Sequence, residues 1–301
     1  MLIFDSHLHF FSHEFFSALA RQKDTRTGVD QTLAELAARI EIELPPHQVQ
    51  KHLQRWLAEL DTHGVLHAVM IASLPEEIAA VAEALALAKN RLAGFFLINP
   101  LAEGSLARLR ECRALGYRGV MLFPALHHYH AGDAGLLPFF HAAADCGLQV
   151  FVHFGILQVK LREALGLPRL YDSGFANPLD LHGVANRFPD LRFIIPHFGC
   201  GFWRETLMLG AQCENILVDT SSSNSWMATQ PFDLNLTEVF RRTKTVFGAE
   251  RMLFGTDSGV FPRGWRKDIF LAQQQAMQEA KFSAAEMAAV FGGNAARLFH
   301  E

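Results

Sequence analysis

Apolar residues along this chain fall in short unbroken runs, separated by longer stretches whose apolar positions recur with helical spacing. The runs are MLIF at the start, GVLHAVMIAS at 64–73, LAGFFLINP at 92–100, GYRGVMLFP at 116–124, GLQVFVHFG at 147–155, LRFIIPHFG at 191–199, NILVDTSSS at 215–223 and RMLFGTDSG at 251–259. Continuous rather than alternating apolarity predicts parallel strands covered on both faces. The segments between them, such as EEIAAVAEALALAKN and GSLARLRECRALG, read as amphipathic helices ending at Asn or Gly. Eight strand–helix units predict a (β/α)8 barrel, an α/β fold of ordinary length for this chain. A doubly wound open sheet is the alternative, weakened by the lack of a G-x-G-x-x-G turn after the first run.

Two departures from a plain barrel are expected. About fifty residues separate the first two strands, and TLAELAARIEIEL, PP and HQVQKHLQRWLAELDTHG within them predict a helical insertion over one barrel end. The closing SAAEMAAVFGGNAARLFHE predicts two short helices with Ser283 and Asn294 as N-caps. Neither segment is long enough for a separate domain, so residues 1–301 read as one.

The 301 residues are half hydrophobic and 19% charged, with a net charge of −4. No basic stripe marks a nucleic-acid surface. No apolar stretch approaches the roughly 20 residues of a membrane span, and the start lacks the basic and small-residue features of a signal peptide. Cys112, Cys146, Cys200 and Cys213 are widely spaced, without a C-x-x-C pair, and read as free thiols of a cytoplasmic protein.

Candidate chemistry sits at the strand ends. His7 and His9 close the first run, His153 the fifth, His197 the sixth and Asp257 the eighth. Active sites of such barrels form at the C-terminal ends of the strands. Residues two apart share a strand face, so His7 and His9 are expected to point inward together, with Asp5 on the same face. Strand eight neighbours strand one in a closed barrel, and strands five and six stand across from them. Several polar groups converging in a dry interior are costly unless hydrogen-bonded or metal-bound. The pattern therefore predicts a divalent metal ion.

At these residues the chain resembles the amidohydrolase superfamily, in the amidohydrolase-related branch that includes aminocarboxymuconate-semialdehyde decarboxylase. The resemblance rests on DSHLH at 5–9, VHFG at 152–155, PHFG at 196–199, GTDS at 255–258 and GGNAARLF at 292–299. It implies one divalent metal, zinc first and manganese second, held by His7, His9, His153 and Asp257. His197 would then stand beside it as the acid/base or electrophile-orienting group, with Asp257 also serving in proton transfer. Met121 occupies the place of the strand-four lysine that bridges two metals in other branches; methionine cannot form a carbamate, so a one-metal site is expected.

The first functional reading is a metal-dependent hydrolase acting on a small carboxylated or cyclic substrate through a metal-activated water. The second is a carboxy-lyase using the same site, and the third a non-catalytic metal-binding scaffold. Substrate contacts are expected from loops. Candidates are His128 within the His127–His130 run, Arg204 beside Phe202 and Trp203, and Arg263, Trp265 and Arg266 after strand eight; arginine suits a carboxylate. Cys200 reads as a buried inert thiol. The resemblance also suggests a homodimer.

Overall fold

The computed structural model describes residues 1–23, 28–156, 159–221 and 224–300, with the side chain of His300 excepted. Eight parallel strands run in the order β1 to β8: Phe4–His9, His67–Ala72, Leu92–Leu97, Gly119–Leu122, Gln149–Val152, Phe193–Ile195, Ile216–Asp219 and Met252–Leu253. Each strand pairs with the next in sequence. The eighth returns to the first through a parallel bridge between Leu8 and Ser258 and a bond from Ser6 N to Phe254 O. The result is a nearly closed TIM barrel. Ser222 and Ser223, the tail of the seventh predicted run, lie outside the described residues.

Two layers of core follow from the strand period. Phe4, Val69, Ile71, Phe95, Met121, Phe151, Ile194, Leu217 and Leu253 fill the barrel interior. The intervening residues, among them Leu8, Met70, Phe96, Val120 and Val150, face the helices. Met121 thus occupies an inward position on β4.

The first strand does not keep strict alternation. Asp5 pairs with Ala68 but Leu8 with Met70, so β1 spends three residues where β2 spends two. This bulge reverses the facing partway along the strand. Phe4 points inward before it; His7 and His9 point inward after it. Asp5 points outward, where it accepts bonds from Thr256 N, Thr256 Oγ1 and Trp265 Nε1 at 3.1, 2.5 and 2.8 Å. The expectation that Asp5 shares the facing of His7 is corrected on this ground.

Three helices fill the gap between β1 and β2: α1 (His13–Arg21), α2 (Val29–Ile40) and α3 (Val49–Thr62). The third is the crossover helix, its Leu53, Trp56 and Leu60 packed on the outer core. The first two form a separate apolar cluster with Leu165 and Leu167 from the segment after β5. They cover the end of the barrel from which β1 and β5 emerge. The helical nature of α1 is not apparent from the strand-and-gap reading, because HEFFSALAR follows an apolar strand without a break.

At the other end the chain closes the barrel with its last helix, Asn294–His300, whose Ala295 and Phe299 join the interior cluster. Ser283 caps the preceding turn with a reciprocal bond to Glu286, as expected. Asn294 does not cap. A π turn over Ala289–Gly293 carries the helix straight into Asn294, whose amide instead donates to Ala249 O and Met252 O at 2.8 and 2.7 Å. It anchors the start of β8.

Candidate metal centre

His7 and His9 leave β1 with their rings in the barrel mouth, His7 standing edge-on to Phe151 below it at a centroid distance of 5.1 Å. Each ring is gripped at Nδ1. His7 Nδ1 faces Asp219 Oδ2 at 3.1 Å, and His9 Nδ1 faces Ser73 Oγ at 2.7 Å. Holding Nδ1 turns the Nε2 atoms toward a common point; on His7, where the carboxylate only accepts, it also raises ligand basicity and fixes the tautomer.

Asp257 completes the set. Beyond the short β8 the backbone is irregular, and Asp257 adopts a left-handed φ of 58°. Its amide bonds to His7 O at 2.9 Å, bringing the carboxylate over β1. Oδ1 lies 3.6 Å from His7 Nε2 and 3.2 Å from His9 Nε2, and the two Nε2 atoms are 3.4 Å apart. Donors about 2.0–2.1 Å from a tetrahedral ion stand roughly 3.3–3.4 Å from one another. The three spacings fit that ion.

Electrostatics agree with an ionised acid among imidazoles. Burial alone would raise the pKa of Asp257, but the bond from His9 and the nearby imidazoles of His7, His197 and His9 outweigh it and hold the carboxyl below its usual range. Burial also opposes a charge on His7; Asp219 and Asp257 outweigh it and raise its pKa. For His9 and His153 burial prevails and both are lowered.

His197 and His153 stand beside this set. His197 follows β6 and Pro196, at the head of a left-handed run through Cys200 that no strand could continue. Its ring centroid is 5.1 Å from that of His7 and 5.1 Å from that of His153. The run packs tightly on the loop after β5, since a Cβ on Gly155 would meet Cys200 O at 2.2 Å. Among the described residues the compact donor group contains His7, His9 and Asp257, without His153. His153 instead packs on Phe123, ring centroids 4.8 Å apart.

The loop candidates are placed apart. Trp265 is buried, with its indole bonded to Asp5 and its amide N donating to Glu59 Oε1 at 2.9 Å. The tryptophan braces the β8 loop from the helix side, so its ring offers no wall to a substrate. His128 has an exposed side chain that bonds Leu170 O at 2.6 Å. The Arg204 side chain is 79% exposed beside Glu205. Arg263 is exposed and makes no hydrogen bond or ion pair among the described residues, yet lies in electrostatic range of Asp257. Cys200 is buried, its thiol facing Ile156 O at 3.1 Å and pushed up to about 12 by burial. None of the four cysteines is paired.

Sequence reasoning passed over the residues that hold the rings. Asp219 and Ser221 stand at the end of β7 with the same two-residue spacing as His7 and His9, a signal present in LVDTS. Ser73 has no comparable signature. Its position is set from behind by the buried Glu77, which accepts Ser73 N and Ser12 N at 2.7 and 2.6 Å.

Residues 4–300 match the family described as Amidohydrolase. The chain belongs to the amidohydrolase family. No curated protein matches it in sequence. Solved structures share its fold. One is 5-carboxyvanillate decarboxylase from Novosphingobium aromaticivorans with bound manganese and 3-methoxy-4-hydroxy-5-nitrobenzoic acid. It is 17% identical, with 100% of this chain and 97% of that one covered and a TM-score of 0.65. A probable 2-pyrone-4,6-dicarboxylic acid hydrolase from Acinetobacter baumannii, with citric acid bound, is 16% identical over 100% of both chains, TM-score 0.63. An amidohydrolase from Burkholderia multivorans with bound zinc is 15% identical over 100% and 99%, TM-score 0.65. Among the described residues no helix is long and apolar enough to cross a membrane.

Proposed function

We propose that this amidohydrolase is a hydrolase dependent on one divalent metal ion, acting on a small carboxylated or cyclic substrate. The observation that carries the reading is the near-tetrahedral spacing of the His7, His9 and Asp257 donor atoms. Bare imidazole nitrogens and a carboxylate suit zinc, with manganese the alternative. His153 is the proposed fourth ligand. When bound, the ion would polarise a carbonyl and lower the pKa of water.

The chain's own groups then divide the work. Asp257, kept ionised, accepts a proton at its carboxylate. His197, buried 5.1 Å from His7 between ring centroids, gives a proton to the leaving group. Arg263, without hydrogen-bonded or ion-paired partners among the described residues and in electrostatic range of Asp257, is the proposed partner of a substrate carboxylate. His128 and Arg204 are proposed as outer contacts.

The second reading is a carboxy-lyase, favoured by the likeness to a decarboxylase that binds a substituted benzoic acid. There the bond between carbon and carboxylate breaks, carbon dioxide leaves, and the electron pair left on carbon takes a proton from His197. Both readings are tested by incubating metal-replete protein with small carboxylic acids, lactones and amides while following products and evolved gas. Turnover abolished by Asp257→Asn is expected, ring or amide opening supporting the first reading and carbon dioxide release the second. Metal content clearly below one ion per chain after supplementation overturns both.

A further inference from the structure

Ser221 lies where two imidazoles meet. Its Oγ is 3.0 Å from His7 Nδ1 and 2.9 Å from His197 Nδ1, and the residue is fully buried. A buried hydroxyl has one proton to donate and needs an acceptor for it. His7 Nδ1 is not that acceptor, because the Asp219 carboxylate opposite it is an acceptor, so His7 Nδ1 itself carries hydrogen. No other acceptor is within bonding distance of Ser221 Oγ among the described residues. The remaining partner is the lone pair of His197 Nδ1.

We propose that Ser221 is a positioning residue whose hydroxyl donates to His197 Nδ1 and thereby holds His197 in its Nε2–H tautomer. The competing arrangement turns a hydrogen on His197 Nδ1 toward Ser221 O at 3.4 Å. That hydrogen could equally face Ser221 Oγ at 2.9 Å, but either way the hydroxyl proton is stranded without an acceptor in a dry interior.

The backbone holds the serine for this task. Asp219 Oδ1 accepts Ser221 N at 2.6 Å, so one carboxylate fixes both His7 and the serine. Gly255 on the neighbouring β8 loop leaves the space they occupy: a Cβ there would stand 2.8 Å from His7 Cβ and 3.0 Å from both Asp219 Oδ2 and Ser221 Cβ. His197 is itself locked in a left-handed φ of 54°. The consequence is a division among similar rings. His7 presents a lone pair at Nε2 and can ligate; His197 presents a proton at Nε2 and cannot.

The inference rests on His197 standing beside the proposed metal centre. Its test reads the ring directly, so an error in the reaction class would not alter the result. Zinc-loaded protein labelled with 15N at histidine is examined by long-range 1H–15N spectra at about pH 8, where an unperturbed imidazole is neutral. The His197 signals are assigned by their loss in His197→Asn. The expected native ring is protonated at Nε2 and bare at Nδ1. Ser221→Ala is expected to move the proton to Nδ1, and Ser221→Thr, which keeps a hydroxyl, to leave it at Nε2. A native ring protonated at Nδ1, or a tautomer unchanged in Ser221→Ala, overturns the proposal. Should the alanine variant fail to fold, the native and threonine spectra decide the question by the same criterion.

Discussion

His7 Nε2 and His9 Nε2 face each other at 3.4 Å, each with its opposite nitrogen tied to the protein. Together with the Asp257 carboxylate they form a compact donor group that one cation can satisfy. The scaffold behind them therefore favours cation binding, and the expectations below follow from how that scaffold is built.

Removal of a ligand is expected to be visible in metal content. His9→Ala, which deletes a donor from the compact group, should leave well under a tenth of the native zinc after dialysis, measured by elemental analysis. His153→Ala tests the proposed fourth donor; a native zinc content and affinity in that variant would remove His153 from the ligand set.

Asp219→Asn alters no donor atom. The amide keeps an oxygen for His7 Nδ1 but loses the charge that strengthens the ring as a ligand. Zinc affinity is expected to fall by about 10- to 100-fold, read by competition with a chromophoric chelator, while circular dichroism stays native. Unchanged affinity would show that the carboxylate does not tune the site.

Stability should decline in mild acid because of His52. Burial lowers its pKa to about 4, against the bond its Nε2 donates to Phe10 O at 2.7 Å. The unfolded chain takes up a proton near pH 6.5 while the folded one resists. Stability from this group is complete above about 6.5 and is lost as pH falls toward 4, by about 3 kcal/mol in all. Urea unfolding across that interval should show a shallower acid limb in His52→Gln than in the native chain; identical limbs would contradict the assignment.

Phe299→Ala should loosen the closed end of the barrel. The ring lies 5.7 Å from Phe4 and 5.5 Å from Phe95 between centroids. Loss of such a buried aromatic typically costs about 3–5 kcal/mol, and urea unfolding should show it with metal content per folded chain unchanged. A cost under about 1 kcal/mol would mean that the tail is not part of the core.

The barrel and its ligand-bearing ends are legible in the sequence because both depend on local pattern. Unbroken apolar runs mark the strands, and His7 and His9 keep their two-residue relation whatever precedes them. Asp5 is misplaced by the same rule, because the bulge between it and Leu8 leaves no mark on the pattern of residues. Trp265 looks like a loop aromatic until the outward turn of Asp5 supplies its indole with a buried acceptor. Asn294 reads as a cap because capping chemistry is local, whereas the carbonyls it binds come from residues 249 and 252, remote in sequence. Asp219 and Ser221 were equally legible as a pair; without their neighbours they resemble an ordinary strand ending.

Phe4 and Phe299 meet inside the barrel although 294 residues lie between them in the sequence. A growing chain emerging from the ribosome must therefore carry an unsealed lumen, with the Phe4 ring lacking its final cover, until residue 299 has been translated and released. Interruption of synthesis shortly before that point would leave the strands made but the vessel open at its base.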